Sequence, residues 1–306
     1  MPMTNTLELP PGESGRTGCV TLLGRPNTGK STFLNTLLGC HLAAVSSKPQ
    51  TTRKQLLGIY NDADSQILFL DTPGVHAAKI AIDEAMDLAV QKGLDEADIV
   101  ICMLDPTRPP GDEDRMTAEL AAGCGKPVLL LLNKIDLASQ EQCRQHLSFY
   151  RQFLPDCPSF SLVALQPESV QQFLQQLKAL LPVGVFLFDR EDITNVYERD
   201  IAADLIREAL LEELQQEIPH CIAVTVDSWQ EQQDCLLVEA TLHLEREAHK
   251  GIVIGQGGRM IKKIRQIAKA KIGKFCQRKT DLSLFLKVSP NWRKRKQFLK
   301  DIRLLE

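Results

Sequence analysis

The segment Gly24-Arg25-Pro26-Asn27-Thr28-Gly29-Lys30-Ser31-Thr32 constrains this chain more than any other. It fits G-x-x-x-x-G-K-S/T. The apolar residues 19–23 before it read as a strand, and residues 33–38 after it read as a helix. Strand, glycine-rich turn and helix make a loop whose backbone N–H groups converge on one anion, backed by the positive end of the helix. Lys30 is placed to reach the β- and γ-phosphates of a nucleoside triphosphate, and Ser31 to ligate Mg²⁺. Asn27, Thr28, Gly29 and Thr32 complete the cradle.

Around this loop, apolar runs at residues 67–70, 99–104, 128–132 and 160–165 alternate with helical stretches. Nearly continuous hydrophobic strands between helices predict a mostly parallel sheet covered on both faces, an α/β domain over residues 17–184. Ligands of such sheets bind beyond the carboxyl ends of the strands. Residues 1–16 read as a mobile tail, and Pro182-Val183-Gly184 breaks the last helix before a charged linker over 185–195. Residues 196–306 follow a different order, α-β-β-α-α-β-α. The expected helix spans 196–216, the strands 222–228, 235–244 and 282–288, and a basic helix begins at Arg259 and runs to about Phe275.

The formal net charge of −3 conceals a split. Residues 246–306 hold 18 of the 36 Lys and Arg but 4 of the 39 Asp and Glu, a net of +14, which leaves −17 for the rest. An acidic domain joined to a basic one suggests a polyanionic partner, the alternative being a solvated basic helix. No apolar run approaches the roughly 20 residues of a membrane-spanning helix. The nine cysteines show no C-x-x-C spacing and read as reduced thiols of a cytoplasmic protein.

Three further motifs fall at strand ends. Asn133-Lys134-Ile135-Asp136 follows the 128–132 run. There Asp136 can accept hydrogen bonds from N1–H and the N2 amino group of guanine, whereas adenine would leave its carboxylate unpaired. Asn133 would tie this loop to the phosphate-binding loop, and the Lys134 stem would cover one face of the base. Asp71-Thr72-Pro73-Gly74 places Asp71 to hold Mg²⁺ through water and the Gly74 N–H to meet a γ-phosphate. Loss of that phosphate would release the segment. Within Pro49-Gln50-Thr51-Thr52-Arg53 a threonine hydroxyl can complete the Mg²⁺ shell, and Thr52 is favoured over Thr51.

In this order the four motifs resemble those of the translation-factor-like GTPases over residues 18–180. The resemblance implies binding of GTP and GDP, hydrolysis with Lys30, Thr52 and Gly74 as the catalytic set, and a base contact from the Ala164 N–H to guanine O6. Val163 stands where that family usually has serine. Val75 follows Gly74 where many GTPases carry a glutamine that orients the attacking water. Valine cannot do so, which implies slow intrinsic hydrolysis. Asn27 resembles the asparagine that holds K⁺ in a subset of such GTPases.

In the basic domain Gly255-Gln256-Gly257-Gly258 forms G-x-x-G between two helical stretches, the loop with which KH modules clamp an RNA backbone. Arg259, Lys262 and Lys263 add charge behind it, while Gln256 occupies a position where Lys or Arg is common. With Glu217–His220, the run through Gly258 and Asn291-Trp292-Arg293, residues 18–296 resemble the Era family, a GTPase domain followed by a C-terminal α+β KH domain. That resemblance implies a monomer that binds the 3′ end of 16S ribosomal RNA, assists maturation of the 30S subunit, and also associates peripherally with the inner membrane. Asn195 departs from the aspartate usual in the family. A GTPase regulator whose basic domain meets a membrane or a protein is the alternative. An RNA-modifying enzyme would need a second catalytic constellation, and the six histidines form none with Cys or Asp.

Overall fold

A computed structural model describes residues 14–76 and 80–305. In chain order the first domain comprises β1 (Ser14–Leu23), α1 (Lys30–Leu38), β2 (Leu56–Asn61), β3 (Ser65–Asp71), α2 (Ala81–Glu96), β4 (Ile99–Leu104) and α3 (Asp112–Gly123). It continues with β5 (Val128–Leu132), α4 (Gln140–Arg151), β6 (Ser159–Ser161), α5 (Pro167–Leu180) and β7 (Val183–Val185). The sheet runs β2-β3-β1-β4-β5-β6, parallel except for β2, with β7 antiparallel on the start of β1. This is the mostly parallel sheet that the apolar runs predict, in the P-loop GTPase arrangement that the motif resemblance implies. Val20, Leu22, Ile101, Met103 and Leu130 are fully buried between the two helical layers. That is why these strands read as continuous apolar runs.

Several limits of the first domain differ from the sequence expectation. β1 already begins at Ser14, so residues 14–16 of the expected tail stand in the sheet. Residues 1–13 lie outside those described. The last parallel strand stops at Ser161, not at residue 165. There the Gln166 N–H turns back onto Val163 O (2.9 Å), which carries Val163 and Ala164 out of the sheet towards the strand ends. The edge strand β2 was not foreseen, because it pairs antiparallel with β3 across a short turn and carries no motif. The expected linker lies along that edge. Ile59 N–H donates to Ile193 O (2.8 Å), Thr194 Oγ1 to Leu57 O (2.7 Å), and Gln66 Oε1 accepts from the N–H of Leu187 and Phe188. An otherwise open sheet edge is thereby covered.

The second domain holds α6 (Glu198–Glu213), β8 (Ile222–Glu231), β9 (Leu236–Leu244), α7 (Ala248–Ile254), α8 (Arg259–Phe275), β10 (Thr280–Val288) and α9 (Lys296–Asp301). Its separate sheet, ordered β10-β9-β8, is antiparallel between β8 and β9 and parallel between β9 and β10. Helix α8 has the limits expected of it. Ile264, Ala268 and Ile272 recur at helical spacing and are fully buried; Lys269 between them is exposed, while Lys271 turns to Glu208 and Glu212 of α6. Helix α6 is shorter at both ends than expected, since Tyr197 and Leu214 adopt extended backbone.

Candidate functional site

The carboxyl ends of β1, β3 and β5 open on one cleft of about 400 Å³. It is lined by Asn27, Gly29, Lys30, Ser31, Thr32, Thr52, Gly74, Asn133, Lys134, Asp136, Val163 and Ala164, residues drawn from five separate segments. Thr28 and Asp71 lie beneath its wall, fully buried. The fold demands glycine at two points. Gly29 has φ 101°, and a Cβ there would collide with the Asn133 amide. A Cβ on Gly74 would stand 2.6 Å from the Pro26 backbone, so the Gly74 segment can close on the phosphate loop only without a side chain.

Asn133 joins the motifs as expected of its position: Nδ2 donates to Thr28 O (2.8 Å), and Oδ1 accepts the Ala164 N–H (2.8 Å). The Ala164 N–H, assigned to guanine O6 from sequence, is therefore bonded to Asn133 in this structure. The Val163 N–H is held by Ser169 Oγ (3.0 Å). Lys134, at φ 59°, directs Nζ to Asn27 O (2.8 Å) and Asp105 Oδ2 (2.6 Å), which anchors its stem along the cleft. Asp136 is exposed at the rim.

At the phosphate end, Ser31 Oγ donates to Asp71 Oδ2 (2.6 Å) and lies 3.0 Å from Thr52 Oγ1. Thr51 instead donates to Lys48 O (2.8 Å), away from this group. Burial pushes the Asp71 carboxyl up to about 6 against the pull of Lys30, and burial lowers the Lys30 ammonium to about 8 although Asp71 opposes it. Asp71 Oδ1 is buried with no hydrogen-bond partner among the described residues. Three hard oxygen donors converging beside an unpartnered carboxylate oxygen fit a Mg²⁺ shell, directly or through water. Lys30 Nζ caps Gly24 O (2.9 Å) and Arg25 O (3.1 Å), within reach of the loop's centre. Val75 is buried, its N–H bonded to Gly24 O (3.1 Å). Asn27, at φ 64°, donates from Nδ2 to Ser47 O (2.7 Å) and so bridges the phosphate loop to the segment that carries Thr52.

Sequence reasoning missed a polar network below the loop. Arg25 is 1% exposed and donates to Asp114 Oδ2 (2.8 Å) and Asp105 O (2.7 Å), while Tyr150 donates to Asp114 Oδ1 (3.0 Å). It also missed the domain junction, which is built on residues 41–54. Arg53 donates to His220 O (2.9 Å) and Ile222 O (3.2 Å) with its guanidinium over the Trp292 ring. Lys48 Nζ donates to Leu211 O and Leu214 O at the end of α6, and His41 meets Glu208 (2.8 Å). The signal for part of it lay in motifs already noted, since His220 and Trp292 belong to the stretches Glu217–His220 and Asn291-Trp292-Arg293.

In that region Gly255, Gly257 and Gly258 all have positive φ (68°, 59° and 76°). A Cβ on Gly255 would press on Met260, whereas nothing stands within 4 Å of one on Gly257 or Gly258. The loop thus presents bare backbone to the outside, at the start of α8. Gln256, Arg259 and Lys262 are exposed beside it, while Lys263 is paired with Glu213 of α6 (2.6 Å).

A phosphate-loop cleft with a guanine-type specificity loop, joined to a G-x-x-G loop on a three-stranded sheet, defines a GTPase with an appended KH domain. The family model of 50S ribosome-binding GTPases matches residues 19–134, and that of the KH domain matches residues 217–293. The GTPase Era of Geotalea uraniireducens is 36% identical over 94% of this chain and 97% of its own length, and that of Geobacter metallireducens is equally similar. Aquifex aeolicus Era, in a variant bound to GDP and AlF₄⁻, superposes with TM-score 0.90 at 29% identity, covering 95% of this chain and 100% of that one. Era in complex with MgGDPNP and nucleotides 1506–1542 of 16S ribosomal RNA gives the same TM-score of 0.90 at 28% identity, over 95% and 100% of the two chains. The chain belongs to the Era family of GTPases.

Proposed function

We propose that this GTPase binds small-subunit ribosomal RNA near its 3′ end through the KH domain, and that GTP controls that grip during assembly of the 30S subunit. One observation carries the reading. Residues 47–54, which bring Thr52 to the phosphate end of the cleft, are the same residues that bond to α6 and β8 of the KH domain. A ligand changes a conformational equilibrium only through contacts that differ between the states. A γ-phosphate that orders Thr52 acts directly on the junction. The relative solved with a 16S fragment supports the choice of RNA.

Ser31, Thr52 and Asp71 would hold Mg²⁺, which neutralises charge on the β- and γ-phosphates when bound. Lys30 and the loop N–H groups orient the same phosphates. Val75 contributes no hydrogen bond to water, so turnover is slow without further help. Asn27, which already spans the phosphate loop and residue 47, is placed to serve a K⁺ ion. Exchanging K⁺ for Na⁺ at constant ionic strength should lower the hydrolysis rate roughly tenfold, about 1.4 kcal/mol in barrier. Equal rates in the two salts would reject a K⁺ role.

The KH reading is tested by placing carboxylates on the bare loop. Gly255→Asp with Gly258→Asp should cut affinity for a 3′-terminal 16S fragment at least about tenfold by repelling phosphates. GTP turnover without RNA should be unchanged. Wild-type binding should weaken steeply as salt rises. Binding to anionic vesicles with none to RNA would point instead to a membrane-directed regulator.

A further inference from the structure

Gln50 belongs to the Pro49–Arg53 motif, yet its side chain serves neither the magnesium shell nor the contacts to the KH domain. It is a non-glycine residue at φ 56°, in the left-handed region where a side chain is disfavoured. Surrounding contacts hold it there. Its carbonyl accepts from Arg207 Nη1 of α6 (3.3 Å), and Arg207 is itself buried. Its side chain turns the other way, along the wall of the nucleotide cleft. Gln50 Nε2 lies 3.1 Å from His76 Nε2 and 3.4 Å from Asp83 Oδ1.

The Gly74 carbonyl can only accept, so His76 carries a proton on Nδ1, which lies 3.0 Å from Gly74 O. His76 Nε2 lies against both the Gln50 amide and Asp83 Oδ1 (3.3 Å), and these two side chains hold the ring from its far side. The Gly74 carbonyl belongs to the same peptide unit as the Val75 N–H, which donates to Gly24 O of the phosphate loop (3.1 Å). The peptide after Gly74 is therefore clamped at both ends. Valine at position 75 offers no hydrogen bond, which leaves this peptide's backbone to order the γ-phosphate end of the cleft.

We propose that Gln50 is a positioning residue for GTP hydrolysis: with Asp83 it holds the His76 ring, His76 holds the Gly74 carbonyl, and Arg207 ties the arrangement to the KH domain. The inference rests on the GTPase activity and not on the identity of the RNA. It places the cleft wall, the Gly74 segment and helix α6 on one hydrogen-bonded path.

The test uses the whole chain with GTP and Mg²⁺ in K⁺ buffer. Gln50→Met keeps the length and removes the amide. It should lower kcat about tenfold while KM for GTP and affinity for GDP stay within about twofold, the pattern of lost orientation and not of lost binding. Gln50→Gly suits the left-handed backbone, cannot misfold through strain at that point, and should show the same loss. His76→Phe should match it, and Gln50→Met with His76→Phe should be no slower than either alone, because both break one path. Full kcat in Gln50→Met and Gln50→Gly, or multiplicative losses in the double variant, would each overturn the proposal.

Discussion

Asp136→Asn will convert this GTPase into an enzyme that prefers xanthosine triphosphate. The Asp136 carboxylate at the rim of the cleft would accept from two guanine donors, N1–H and the N2 amino group. An asparagine offers one acceptor and one donor, so its amide nitrogen opposes the guanine amino group but suits the xanthine O2. A site built to hydrogen-bond one pattern rejects the other strongly. The change in preference should reach roughly 10³-fold, about 4 kcal/mol. Competition of GTP and XTP for a fluorescent GDP analogue measures it. Because Asn133 and Lys134 keep their bonds to Thr28, Asn27 and Asp105, the loop should hold its shape in the variant. Unchanged preference for GTP would show that guanine is read elsewhere in the cleft.

Asp114→Ala will destabilise the GTPase domain more than any substitution of an exposed charge. Asp114 is fully buried, accepts from Arg25, Tyr150 and the Gly111 N–H, and is the only carboxylate bonded to the Arg25 guanidinium among the described residues. Its removal strands a buried positive charge and a phenol hydroxyl. Breaking a buried pair on one side costs about 3–5 kcal/mol. In thermal unfolding this should appear as a fall of roughly 10 °C. Arg25 is the second residue of the phosphate loop, so GTP affinity should fall with it. Asp114→Asn keeps an acceptor for Arg25 and should lose clearly less. A loss below about 1 kcal/mol in Asp114→Ala would mean that Arg25 finds water or another partner.

The features that could be read from sequence are those whose chemistry is local. The phosphate loop announces itself because a glycine turn, a lysine and a helix start must be contiguous. Helix α8 was legible to its last residue because the glycines of the KH loop start it and its buried residues recur every four positions. Strand β6 was read too long, since an apolar run continues past the point where the Gln166 N–H turns the chain. The Ala164 N–H was given to the base because the motif puts it nearby. Only the fold reveals that Asn133 Oδ1 competes for it.

Sequence alone determined the kind of ligand, the guanine preference, the two-domain order and the apolar residue at Val75, because each depends on which atoms a short segment can offer. Tertiary structure decided which threonine faces Ser31, that Arg25 is neutralised by Asp114 89 residues away, and that residues 47–54 serve the cleft and the KH domain together. Such pairings join segments far apart in the chain, and their partners carry no mark of one another in composition or spacing. The contact becomes definite only when the sheet order and helix packing bring both ends to the same place.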